Sequence, residues 1–203
     1  MRRRSVPFVV LLLAACAGAG ASGSHIVAWG STVTIKLSSG QQVKVRPLVV
    51  DGRVKEYSTG PAHQVTDTLF VARRVFRINN ALPGDPPKPP QWTWQLGGWM
   101  SISSTTGRVE ELKLPEFDPQ LSEASWFQDY AAYCGSSEET SVHYMMVFQL
   151  GKRKPALKKE LYGQSCRAPK WERDPSRVTF ESAGGAKVSF VIHDGIAELQ
   201  ANQ

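Results

Sequence analysis

Thr32-Val33-Thr34-Ile35-Lys36-Leu37-Ser38-Ser39-Gly40-Gln41-Gln42-Val43-Lys44-Val45-Arg46 decides the fold class. Apolar residues recur at every second position in both arms, the period of a strand with one covered face. Ser38-Ser39-Gly40 between the arms has turn composition, so the stretch predicts a β-hairpin. Asp51-Gly52, between Leu48-Val49-Val50 and Val54, is a second hairpin signal. Residues 68–78 (TLFVARRVFRI) are rich in β-branched and aromatic side chains and predict a strand covered on both faces. Their Ala72-Arg73-Arg74 centre would also tolerate a helix.

The same period continues downstream. Trp92 to Leu96 alternate cleanly, Gly97-Gly98 follow, and 99–103 resume. A turn at 105–108 returns the chain through 109–114, and Pro115-Glu116-Phe117-Asp118-Pro119 forms a loop. Residues 125–135 (SWFQDYAAYCG) read as one buried strand. Residues 142–150 read as another, with Val142, Tyr144, Met146, Phe148 and Leu150 on one face. A turn at 151–155 leads to a strand at 156–161, and 163–175 reads as irregular. Residues 177–180 and 187–192 form a last hairpin around Ala183-Gly184-Gly185. Residues 83–90 are a proline-rich run, expected as an extended surface loop, with docking of a partner as the alternative. No segment carries a period of 3.6. The expected fold is an all-β, single, mostly antiparallel β-domain, either a sandwich or an open meander.

Upstream, Arg2-Arg3-Arg4 and then the apolar run 8–15 compose an N-terminal signal segment spanning residues 1–21, ahead of a β-rich domain at 22–203. The apolar run is shorter than the roughly 20 residues a membrane helix needs. Leu13-Ala14-Ala15-Cys16 resembles the lipobox of bacterial lipoproteins. That resemblance implies acylation of the Cys16 thiol, cleavage before it and a membrane attachment through the lipid. Ala17 in the following position then implies the outer membrane. Cleavage after Ala19-Gly20-Ala21 is the alternative; it would discard Cys16 and release a secreted protein. A retained anchor is the third. Residues 18–24 are small and suit a tether.

The chain carries 24 Lys+Arg and 18 Asp+Glu. Removing Arg2, Arg3 and Arg4 leaves 21 basic against 18 acidic side chains, too mild an excess for a nucleic-acid partner. Cys16, Cys134 and Cys166 are the only cysteines. Export would consume Cys16 and leave Cys134 and Cys166 to pair in an oxidising compartment. Two unpaired, buried thiols are the alternative.

Two weaker resemblances add to this. Residues 99–161 resemble one blade of a β-propeller: strand, Thr-Gly turn, strand, Phe-Asp-Pro loop, aromatic strand and hairpin. No second copy follows, and propellers need several blades. The run Trp126-Phe127-Gln128-Asp129-Tyr130-Ala131-Ala132-Tyr133-Cys134-Gly135 resembles a set of exported bacterial proteins without assigned function.

Chemistry-bearing motifs are few. His25, His63, His143 and His193 have no metal-ligand spacing to one another or to cysteine, so no metal, catalytic set or cofactor is expected. Nucleophile-elbow, phosphate-loop and zinc-protease motifs do not occur. Glu110-Glu111 and Glu138-Glu139 lie at turns, where solvated carboxylates are ordinary. Lys152-Arg153-Lys154 with Lys158-Lys159 reads as a solvated hairpin tip, or as a contact to anionic envelope polymers. Trp92, Trp94 and Trp99 could stack on a sugar or fill the core, and Asp129 could meet a ligand or be satisfied internally. The leading expectation is a non-enzymatic binding or scaffolding protein of the cell envelope, lipid-anchored or secreted, with an envelope protein or glycan as partner. A carbohydrate- or peptidoglycan-binding module using the three tryptophans is the first alternative, and a hydrolase with an unrecognised site the second.

Overall fold

The structure, a computed structural model, describes residues 23–81, 90–137, 142–161 and 166–200. The signal segment with Cys16, the prolines at 83–89 and Glu138-Glu139 lie outside them. Fifteen strands and no helix occupy the described residues, and the strand pairings are antiparallel. The fold is all-β, as the alternation requires.

Three sheets stack. The first has seven strands: β1 (Val27–Trp29), β2 (Val33–Lys36), β3 (Gln42–Val50), β4 (Arg53–Gln64), β5 (Leu69–Asn79), β6 (Trp92–Ser103) and β7 (Val109–Leu112). Their order is β1-β3-β4-β5-β6-β7, with β2 also on β3. The second is a meander of β8 (Ala124–Phe127), β9 (Tyr130–Ser136), β10 (His143–Gln149) and β11 (Leu157–Leu161). The third is a meander of β12 (Lys170–Glu172), β13 (Arg177–Glu181), β14 (Lys187–His193) and β15 (Ile196–Gln200). The stretch 99–161 is therefore divided between the first and second sheets.

The middle sheet is covered on both faces, and strict alternation sorts its residues. Ala131, Tyr133, Met146 and Phe148 pack with Val71, Trp99 and Leu114 of the first layer. Ala132, Met145 and Val147 pack with Val178, Phe180, Phe190 and Ile192 of the third. The first sheet curls: Leu37 bridges Trp94 of β6, and the Ser38 N–H donates to the Trp94 carbonyl at 2.8 Å. Leu37, Val45 and Val75 fill that curl, while Leu48, Ala72, Met100 and Ile102 form a further cluster. Adjacent Val71 and Ala72 serve different clusters, so β5 is buried on both faces, as its composition predicts.

The hairpins at 38–41 and Asp51-Gly52 form as expected, the latter with both residues left-handed, φ 50° and 74°. Three readings need correction. Gly97-Gly98 do not separate two strands; β6 runs through them, with a register shift opposite Arg74. Residues 125–135 are not one strand but the hairpin β8–β9, Phe127 pairing with Tyr130. The turn is at Gln128, whose φ of 51° is one that sequence normally signals with Gly, Asn or Asp. Residues 163–175 are not wholly irregular, since β12 falls there and pairs with β13. β1 and β15 are short strands that the alternation does not announce.

Cys134 and Cys166 form a disulfide, with Cα atoms 6.0 Å apart. It ties the middle sheet to the segment preceding β12, which also holds on through the Cys166–Ser182 bridge and the Arg167 N–H donating to the Glu181 carbonyl at 2.9 Å.

Candidate functional site

A cleft of about 920 Å³ opens where the curled sheet, the 119–126 segment and residues 166–169 meet. Arg73 is among its lining residues. Burial drives Arg73 to 9% exposure, because β5 is covered on that face by the 115–122 loop. Its Nη1 donates to the Ser122 carbonyl at 3.1 Å and Nη2 to the Pro119 carbonyl at 2.6 Å. The guanidinium also lies 4.7 Å from the Phe117 ring centroid. Desolvation lowers its pKa to about 10, so it stays charged at neutral pH. Ser122 fastens the loop from the other side, its hydroxyl donating to the Cys134 carbonyl at 2.6 Å.

One wall is aromatic. The His63 ring stacks on Trp126 at 6.0 Å, and Trp126 meets Trp99 edge-on at 5.3 Å. His63 Nε2 lies 2.7 Å from the Gln128 carbonyl, so the imidazole N–H donates to the strained turn of the β8–β9 hairpin. Arg73 Nε, Trp99 Nε1 and Trp126 Nε1 are buried donors without an acceptor among the described residues. Buried donors of this kind normally find a partner, and all three belong to cleft-lining side chains. The remaining rim carries β8 itself, the exposed Leu121, and Cys166 to Pro169.

The residues singled out by sequence are dispersed. Trp92 is 56% exposed and Trp94 half-buried; the Arg77 guanidinium sits 5.6 Å from one ring and 5.3 Å from the other. Trp99, beyond the glycine pair, is 8% exposed and packs in the interlayer core. The three indoles thus do not share one surface. Asp129 sits in the β8–β9 turn, its carboxylate accepting from Gln149 Nε2 at 2.9 Å and its carbonyl from the Leu150 N–H at 2.8 Å. His25 is bonded to Asp51 at 2.6 Å, which holds the Asp51 carboxyl below its ordinary pKa. Lys158 pairs with Glu116 at 2.8 Å and has its pKa raised by that bond, while Lys152, Arg153 and Lys154 are exposed. No group of three His, Cys, Asp or Glu is placed to hold a metal ion among the described residues.

Sequence reasoning missed His63, Arg73 and Trp126 as neighbours. The available signal was three arginines, Arg73, Arg74 and Arg77, inside an otherwise apolar strand, since a charge placed among core residues must be satisfied by something specific. No family model matches the chain, and no curated protein or solved structure gives a significant match.

Proposed function

We propose that the chain is an exported, non-enzymatic binding module that takes an extended segment of a protein partner in the cleft beside β8. The observation that carries this reading is the placement of β8. It is an edge strand of the middle sheet, all four of its residues are partly exposed, and Ala124, Ser125 and Trp126 line the cleft. An edge strand beside a cleft suits strand addition, in which main-chain bonds give affinity and pockets for alternate side chains give selectivity. Trp171 Nε1 already donates to the Ser125 carbonyl at 3.0 Å, so few main-chain bonds remain and side-chain contacts must carry most of the affinity. A peptide brings carbonyl acceptors, which the unpaired indole and guanidinium donors of the wall require after a small shift.

Export and lipid attachment at Cys16 belong to the same proposal. They are supported by the Arg2-Arg3-Arg4 start, the Leu13-Ala14-Ala15-Cys16 motif and the pairing of the remaining cysteines. Mass spectrometry of the mature N-terminus tests this part: a lipid-modified Cys16 supports it, and a free N-terminus at Ser22 contradicts it. For the cleft, a photocrosslinking residue at Leu121 in intact cells should give a discrete protein adduct, and one at the exposed Ile196 of β15, which does not line the cleft, should not. Adducts of the same size and yield from both positions would refute the cleft as the docking site.

A further inference from the structure

Strand alternation sends Trp126 and Phe127 to opposite faces of the middle sheet. Trp126 packs toward the first layer and lines the large cleft; Phe127 lines a second cleft, of about 440 Å³, on the side of the third sheet. That volume lies within the usual range of small-ligand pockets, about 300–1,000 Å³. Its lining differs in kind from the first. Phe127 stacks on Trp171 at 5.5 Å and 27°, and Tyr130 lies 6.4 Å from the same indole. Around these rings stand Gln149, Lys152 and Asp194. Lys152 and Asp194 are exposed and make no ion pair among the described residues.

We propose that this second cleft binds a pyranose ring of a neutral glycan. A sugar ring has an apolar face of C–H groups and a rim of hydroxyls that both donate and accept. The Phe127–Trp171–Tyr130 cluster offers partly exposed aromatic rings, the first two stacked and Tyr130 tilted at 49° to the indole, for the face to pack against. Asp194 accepts from hydroxyls, Lys152 donates to them, and the Gln149 amide, held by Asp129, supplies a fixed polar group beside them. Asp194 sits in a hairpin turn at φ 47°, followed by Gly195, so its carboxylate is carried on a rigid backbone. It disfavours an acidic sugar in the same place. The site is separate from the partner cleft, and with it the module would hold a protein segment on one side of β8 and a glycan on the other.

Saturation-transfer NMR on the full mature protein tests this, with chitotetraose and cellotetraose as neutral probes and an oligogalacturonate as the acidic one. The ring C–H protons of a neutral probe should receive saturation. Asp194→Asn keeps the turn, because asparagine tolerates the left-handed backbone, and should weaken binding about tenfold. Lys152→Ala, at an exposed tip, should weaken it too, and Trp171→Ala should abolish it. Saturation of neither neutral probe, binding of the acidic probe alone, or unchanged affinity in both Asp194→Asn and Lys152→Ala would overturn the proposal. Trp171→Ala also frees the Ser125 carbonyl beside the partner cleft, so the two sites are told apart by Asp194→Asn and Lys152→Ala, which leave crosslinking from Leu121 unchanged.

Discussion

Arg73 and Arg77 sit four residues apart on β5, on the same face, and each guanidinium lies against aromatic rings. Arg73 is nine-tenths buried under the 115–122 loop and gives its protons to two carbonyls of that segment. Arg77 is exposed between Trp92 and Trp94. The two assemblies use the same groups and differ in whether another layer reaches them. Over Arg73 the middle sheet and its leading loop extend; over Arg77 they do not. A cation–aromatic contact is therefore a fastening in one place and a surface feature in the other.

Four variants sharpen or break that contrast. The largest effect is expected from Cys134→Ser with Cys166→Ser, about 3–4 kcal/mol of stability in the chain-entropy account, read from urea unfolding. Limited proteolysis should cut residues 166–169 before any central strand; simultaneous loss of both would show that the disulfide holds more than the cleft wall. Arg73→Met should cost about 2–3 kcal/mol, since it strips charged donors from two carbonyls beneath a covered loop. A cost near zero would mean that the loop is fastened elsewhere. Gly135→Ala should cost about 1–2 kcal/mol, because an added Cβ would lie 2.9 Å from the Glu116 carbonyl oxygen and 3.1 Å from Met146. Arg77→Ala should cost less than about 1 kcal/mol, the range of exposed cation–π contacts. A cost equal to that of Arg73→Met would erase the distinction between the two regions.

The legible and illegible parts of the molecule follow from what alternation encodes. Period two in 32–46 and in 142–150 identifies strands and even the face that Tyr144, Met146 and Phe148 share. It does not state which sheet covers which face, so Trp92 and Trp99 look equivalent in sequence and are exposed and buried in the structure. The β8–β9 turn was hidden because Gln128 takes a left-handed φ without the residue types that announce one, held there by His63 from another sheet. The cleft combines β4, β5, β8 and the Cys166 segment, positions more than a hundred residues apart that no local pattern relates. The disulfide was foreseeable from counting cysteines, because assigning Cys16 to the signal segment leaves a single possible pair.

The central claim is that β8 and the cleft beside it receive a partner. Hydrogen exchange on the protein captured from cells with the proposed partner bound, compared with the protein alone, tests this most directly. The amides of Ala124–Phe127 and of residues 120–122 should exchange more slowly in the bound form, while those around Trp92 and Ile196 stay unchanged. Unchanged exchange along β8, with new protection at Trp92 or along β15, would contradict the account.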